Sequence, residues 1–157
     1  MNTQYQELFA LFNEIGAGLE RLTALATKKL EAVQKDDLET LNEIMNQEQA
    51  ETLAFRGMER KRETLLGELG LSATALTALT KACPAELQEE AEQAVQTLQS
   101  RYRDYRSYAD AARQALENGL TEIDQVLNDL GGNQPEGPGY QAPETELPTK
   151  MRTDFRA

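Results

Sequence analysis

Three carboxylates, Glu89, Glu90 and Glu92, crowd into one short stretch of the chain, and such groups can do acid–base work when their surroundings split their pKa values. Here they stand among Gln and Ala on what reads as the solvent side of a helix, so a hydrated face is the simpler reading. The run ERKRE, Glu59 to Glu63, is most simply a set of i to i+4 pairs along an exposed strip. In RYRDYRSY, Arg101 to Tyr108, arginines alternate with tyrosines as in platforms that stack single-stranded nucleic acid. The tyrosines at 102, 105 and 108 recur every three residues, however, which fits packing along a helix edge better. With no His and a single Cys83 the chain has no conventional metal or Cys–His set and no internal disulfide. Cys83 reads as a small buried hydrophobe. No nucleophile–base constellation and no glycine phosphate loop is present, and the expectation is a protein that is not an enzyme and needs no cofactor.

The elements that carry these residues are helical. No segment alternates with period two over a useful length, so the chain is expected to be all-α. Tyr5, Leu8, Phe12, Ile15, Leu19, Leu22 and Ala26 step by three and four, with Leu30 and Val33 continuing the face, a heptad seam from about Thr3 to Val33. A second periodic segment runs from Leu38 to Leu69, and the short KDD connection sends it back antiparallel. Asp36, followed by Glu39, has the capping-box pattern at its start. Its stripe is unusually polar: Leu38, Leu41 and Met45 lead through Glu48 and Thr52 to Phe55, then Glu59 and Arg62, before closing on Leu66 and Leu69. Ser72 is a candidate N-cap for a short helix carrying Leu76 and Leu79, which ends at Cys83 because Pro84 follows. Pro84 suits the first position of a last long helix. Leu87, Ala91, Ala94, Leu98, Tyr105, Ala112, Leu116, Ile123, Leu127 and Leu130 carry that helix to Gly131, about 70 Å if unbroken. It outruns the hairpin, and Gly119 is the place for a bend or for the close approach of a partner helix.

Composition agrees with a thin fold. Hydrophobic residues make up 39% of 157 residues, which with glycine lies at the lower edge of globular usage. The formal net charge of −11 opposes binding of nucleic acid or an anionic membrane through bulk electrostatics. There is no apolar run near membrane-spanning length, and MNTQYQELF lacks the order of a signal peptide, so no stable membrane insertion and a cytoplasmic location are expected. Four of the five prolines follow Leu130. The chain therefore divides into a helical bundle domain, 1–130, and a flexible Pro/Gly-rich tail, 131–157. In that tail Leu147, Met151 and Phe155 lie four apart, a weak apolar face suited to a groove involving the long last helix of its own or a neighbouring molecule. Weak self-association through the tail is one such arrangement. A bundle with imperfect seams and an over-long last helix suits a helix-binding chaperone or adaptor. The rival is a structural coiled-coil subunit whose seams are completed by copies of itself.

The stretch DLETLNEIMNQEQAETLAFRGMERKRETLLGELGL resembles the FlgN family of flagellar export chaperones. It has the acidic cap, leucines on the second helix, the central Glu48, the Glu-x-x-Arg step of Glu59 and Arg62, and the closing LLxxLGL. The helix layout is similar over roughly residues 5–130. The resemblance implies an elongated helical hairpin plus a long C-terminal helix, and partners that are hook-associated (junction) proteins and a component of the export gate. It implies that the amphipathic C-terminal segment of a junction protein is taken up at Leu116, Leu120, Ile123, Leu127 and Leu130, and that Tyr140, the tyrosine of the tail, contacts the gate. It also implies that Glu48, Glu59 and Arg62 keep the hairpin soluble and in register. The chain departs from the family where a pair of asparagines is common on the last helix: Tyr105 and Tyr108, or Ala109 and Ala112, stand there instead. That leaves the identity of the client open.

Overall fold

The structure, a computed structural model, describes residues 2–131. Tyr140 and the face of Leu147, Met151 and Phe155 lie outside the described residues. Helix α1 spans Asn2–Gln34 and α2 spans Leu38–Glu68; a 3-10 turn at Leu76–Ala78 leads into the single-turn α3, Leu79–Ala82; a second 3-10 turn at Ala85–Leu87 opens α4, Gln88–Asp129. The fold is all-α, with no strand among the described residues. At about 1.5 Å per residue the three long helices measure roughly 50, 46 and 63 Å.

The hairpin turns tightly because two adjacent aspartates do different jobs. Asp36 adopts the left-handed conformation, φ 54°, and the N–H groups of Asp37 and Asp36 donate back to the carbonyls of Ala32 (2.9 Å) and Val33 (3.2 Å). That is a Schellman ending for α1. Asp37, not Asp36, is then the N-cap of α2: its carboxylate accepts from the N–H of Thr40 at 3.2 Å and from the Thr40 hydroxyl at 2.6 Å. Those bonds, the hydroxyl's first, hold the Asp37 carboxyl below its ordinary range. The capping box is not completed: the Asp37 N–H donates to Ala32 O, and Thr40, not Glu39, is the side chain that meets the cap, by donating to it. At the far end α2 closes in the same way, with Gly70 at φ 71° and Leu71 N–H donating to Leu66 O at 2.8 Å.

Helix α1 lies between the other two, packing along both α2 and α4. Its seam residues Tyr5, Leu8, Phe12, Ile15, Leu19, Leu22 and Ala26 are buried, as their spacing predicts, and so are Phe9, Leu11, Leu25 and Ala32. The extra set is what a helix with neighbours on two sides requires. Cross-links between Gln4 and Glu68 (3.1 Å) and between Arg21 and Glu51 (2.7 Å) set α1 and α2 antiparallel. Links from Gln6 to Glu90 and from Glu20 to Arg101, both 3.1 Å, set α4 parallel to α1. Gly18 permits close packing of the hairpin, since a Cβ there would stand 3.1 Å from the Phe55 ring.

The stretch between α2 and α4 differs from the sequence reading in its caps. Ser72 does not cap a helix; Ala75 occupies the position before the 3-10 turn and makes no side-chain cap bond. Anchoring by buried Leu76 and Leu79 decides where the turn starts. Cys83 does end α3 in an extended conformation, and Pro84 precedes the next 3-10 turn rather than lying inside it. The Cys83 side chain is buried, and burial pushes its thiol pKa up.

Candidate functional site: the projecting end of α4

The residues whose types suggested chemistry are structural or hydrated. Glu89, Glu90 and Glu92 are exposed. Within ERKRE, Arg62 turns inward and pairs with Glu59 at i, i+3, so this part of the run belongs to the α2 seam rather than to an exposed strip. Tyr105 is buried and Tyr102 packs against the core, while Tyr108 is exposed. Burial, followed by the charge of Glu48, pushes the Tyr105 hydroxyl up to about 12. Glu48 itself meets Lys29 at 3.1 Å, between side chains that are both almost fully buried. Lys29 escaped the sequence reading, although it sits three residues after Ala26 and four before Val33, on the seam itself. Among the described residues no group of three or more His, Cys, Asp or Glu could hold a metal ion.

The register of the helices leaves an extended apolar surface at the end of α4. With Gln6 level with Glu90 and Glu20 near Arg101, the end of α1 falls level with about residue 116 of α4. Everything beyond runs past the hairpin turn. Burial follows this register: Ala112 is the last fully buried residue of α4, Leu116 and Leu120 are half-buried, and residues 121–131 are all exposed. Helix α4 continues unbroken through Gly119, where an added Cβ would meet nothing within 4 Å, so no described helix approaches there.

Leu116, Leu120, Ile123, Leu127 and Leu130 step by four and three. At about 100° per residue they lie within one stripe roughly 80° wide and about 21 Å long. Ile123, Leu127 and Leu130 are 57%, 42% and 77% exposed, proportions expected of a face awaiting a partner rather than of a core. Val126, 56% exposed, widens the stripe on one side and Leu38, 75% exposed, adds an apolar residue at the hairpin tip. Leu38 reads in the sequence as the start of the α2 stripe but faces solvent, and Val126 was not singled out because it falls off the heptad. The same angular arithmetic places Glu117 and Asp124 along the margin opposite Val126, while Glu122 and Asp129 lie toward the back of the helix. A protein-family profile described as FlgN protein matches residues 1–146. The chain belongs to the FlgN family. Membership implies a role as a flagellar export chaperone, a family of chaperones rather than enzymes. No curated protein and no solved structure matches.

Elsewhere on this FlgN-family chain an open cleft of about 570 Å³ lies between α1 and α2, with Ala10, Leu11 and Leu65 at its floor and Glu7, Glu14, Arg60 and Lys61 around it. Its charges are of both signs and its apolar floor is short. No described helix is long and apolar enough to cross a membrane.

Proposed function

We propose that this protein binds the amphipathic C-terminal segment of a hook-associated junction protein along Leu116, Leu120, Ile123, Leu127 and Leu130, and delivers it to the export apparatus. The observation that carries the proposal is the heptad stripe of α4 left uncovered where the helix outruns its own hairpin. A client helix laid on it completes a two-stranded packing of the kind helices adopt in apolar grooves. The side chains of Ile123, Val126, Leu127 and Leu130 are already partly covered, so finishing their burial is worth roughly 1–1.5 kcal/mol each, about 4–6 kcal/mol gross before the costs of association. Such a complex is reversible, as a cargo that must be released demands. The chaperone acts stoichiometrically, without turnover, and Tyr140 supplies the contact with the export gate. A coiled-coil subunit built on copies of this chain is the weaker reading, because from Gln114 to Leu130 a copy brings only carboxylates to a stripe already flanked by Glu117 and Asp124.

The test is the double variant Ile123→Asp, Leu127→Asp, titrated with the C-terminal segment of the junction protein from the same organism. Binding should vanish while circular dichroism and melting temperature stay close to those of the parent, because neither residue belongs to the buried cluster. Unfolding of the variant, or undiminished binding, would move the client site elsewhere.

A further inference from the structure

We infer that the α4 stripe is covered, when no client is present, by residues 147–156 of the same chain. The surface makes two demands on an occupant. It needs apolar side chains at helical spacing, to match a stripe that runs from Leu116 to Leu130. It also needs positive charge, because from Gln114 to Leu130 the only charged residues are Glu117, Glu122, Asp124 and Asp129, and none of these makes an ion pair with a described residue.

A second copy of α4 meets the first demand and fails the second, since it brings the same carboxylates. In a chain of net charge −11, the final stretch KMRTDFRA is one of the few that carries excess positive charge: Lys150, Arg152 and Arg156 against Asp154. Leu147, Met151 and Phe155 are spaced four apart within and just before it. The segment thus meets both demands.

Distance allows the docking as well. Fifteen residues, 132–146, separate Gly131 from the segment, and a flexible chain of that length has a root-mean-square span of about 19–23 Å. The stripe is about 21 Å long. A tether matched to its site supplies an effective concentration in the millimolar range, so a segment with an intrinsic dissociation constant of only about 0.2 mM would still be docked about five-sixths of the time. The segment then competes with a client about sixfold, enough to reject weak apolar encounters and still give way to a cognate helix. The competitor role rests on the stripe being the client surface; the docking does not.

The experiment measures docking without any client. Amide exchange is followed in the full chain, in a chain ending at Gly139, and in the full-length variant Met151→Asp, Phe155→Asp. Amides of residues 119–130 should exchange about sixfold more slowly in the full chain than in the other two, with the difference shrinking as salt is raised. A labelled peptide of residues 144–157 should bind the truncated chain and lose that binding with Ile123→Asp, Leu127→Asp. Equal exchange in all three proteins overturns the inference. Protection that disappears on dilution also overturns it, by assigning the occupant to a neighbouring molecule. If the amide result holds but truncation leaves the affinity for the junction-protein segment unchanged, the docking stands and it is the client reading of the stripe that fails.

Discussion

The polar seam of α2 makes a quantitative demand at Glu48. Its carboxylate lies 3.1 Å from the Lys29 ammonium, with the two side chains 6% and 11% exposed, and Tyr105 of α4 is buried close enough to feel its charge. At an effective dielectric constant near 20 the attraction at that distance is about 5 kcal/mol. Removing two ions from water costs several kcal/mol each. The pair is therefore worth little in total, while either ion without the other is expensive. Lys29→Met should cost about 3–5 kcal/mol, because it leaves a buried carboxylate between three helices. Glu48→Leu should fall at the lower end of that range, since the lysine stem can carry its charge outward. The double variant, which fills the same space with apolar side chains, should return to within about 1 kcal/mol of the parent. Urea unfolding followed by circular dichroism, arranged as a double-mutant cycle, reads the coupling directly. A loss below about 1 kcal/mol in Lys29→Met would show that the pair is hydrated. A double variant as unstable as the sum of the singles would show that shape at this junction, not charge, is at stake.

Four further outcomes test other parts of the fold. The Tyr105 hydroxyl, raised from 10.0 to about 12, keeps its proton in the folded state after the unfolded chain has lost it; the stability linked to it is whole below pH 10 and is lost as pH rises toward 12, so the parent should lose roughly 2–3 kcal/mol more than Tyr105→Phe across that window in alkaline unfolding curves. Phe55→Ala should cost about 3–5 kcal/mol in urea unfolding, because the ring is 1% exposed and fills the space that Gly18 leaves open. Gly57→Ala should raise global stability by about 0.5–1 kcal/mol, since a Cβ there meets nothing within 4 Å; Gly119→Ala, equally free of neighbours, should slow amide exchange in residues 119–130 while leaving the melting temperature nearly unchanged.

What could be read from sequence follows from which forces are local. The α1 seam was legible because seven positions repeat the heptad, but its full width was not, since that depends on α4 packing along a second side. The α2 stripe was legible even through Glu48, Thr52 and Arg62, because periodicity survives a change of polarity. Its partner Lys29 carried a signal, a charge on an otherwise apolar seam, that only becomes specific when Glu48 stands opposite. The cap slipped by one residue because Asp36 and Asp37 are chemically identical; what separates them is that the end of α1 requires a left-handed residue first. Ser72 misled because local capping preference lost to the anchoring of Leu76 and Leu79. The stripe at the end of α4 was legible as a heptad, and helix length alone placed it beyond the hairpin. Val126, off the heptad, emerges only when exposure is known residue by residue.

The distribution of side-chain size along α4 supports the proposed use of its end. Within the bundle its innermost positions are often small, with Ala91 and Ala112 at 0% and 1% exposure and Ala94 beside them, so α1 can approach closely and little apolar area is needed. Past the hairpin, where no other described helix lies alongside, the stripe turns to Leu116, Leu120, Ile123, Leu127 and Leu130. A helix selected only for its own fold would have the opposite gradient, since large apolar groups in water add nothing to stability and invite aggregation. An isolated segment of a dozen residues is also marginal as a helix in water. The free end of α4 therefore gains order from whatever covers it, and the affinity of the site and the helicity of the site rise together.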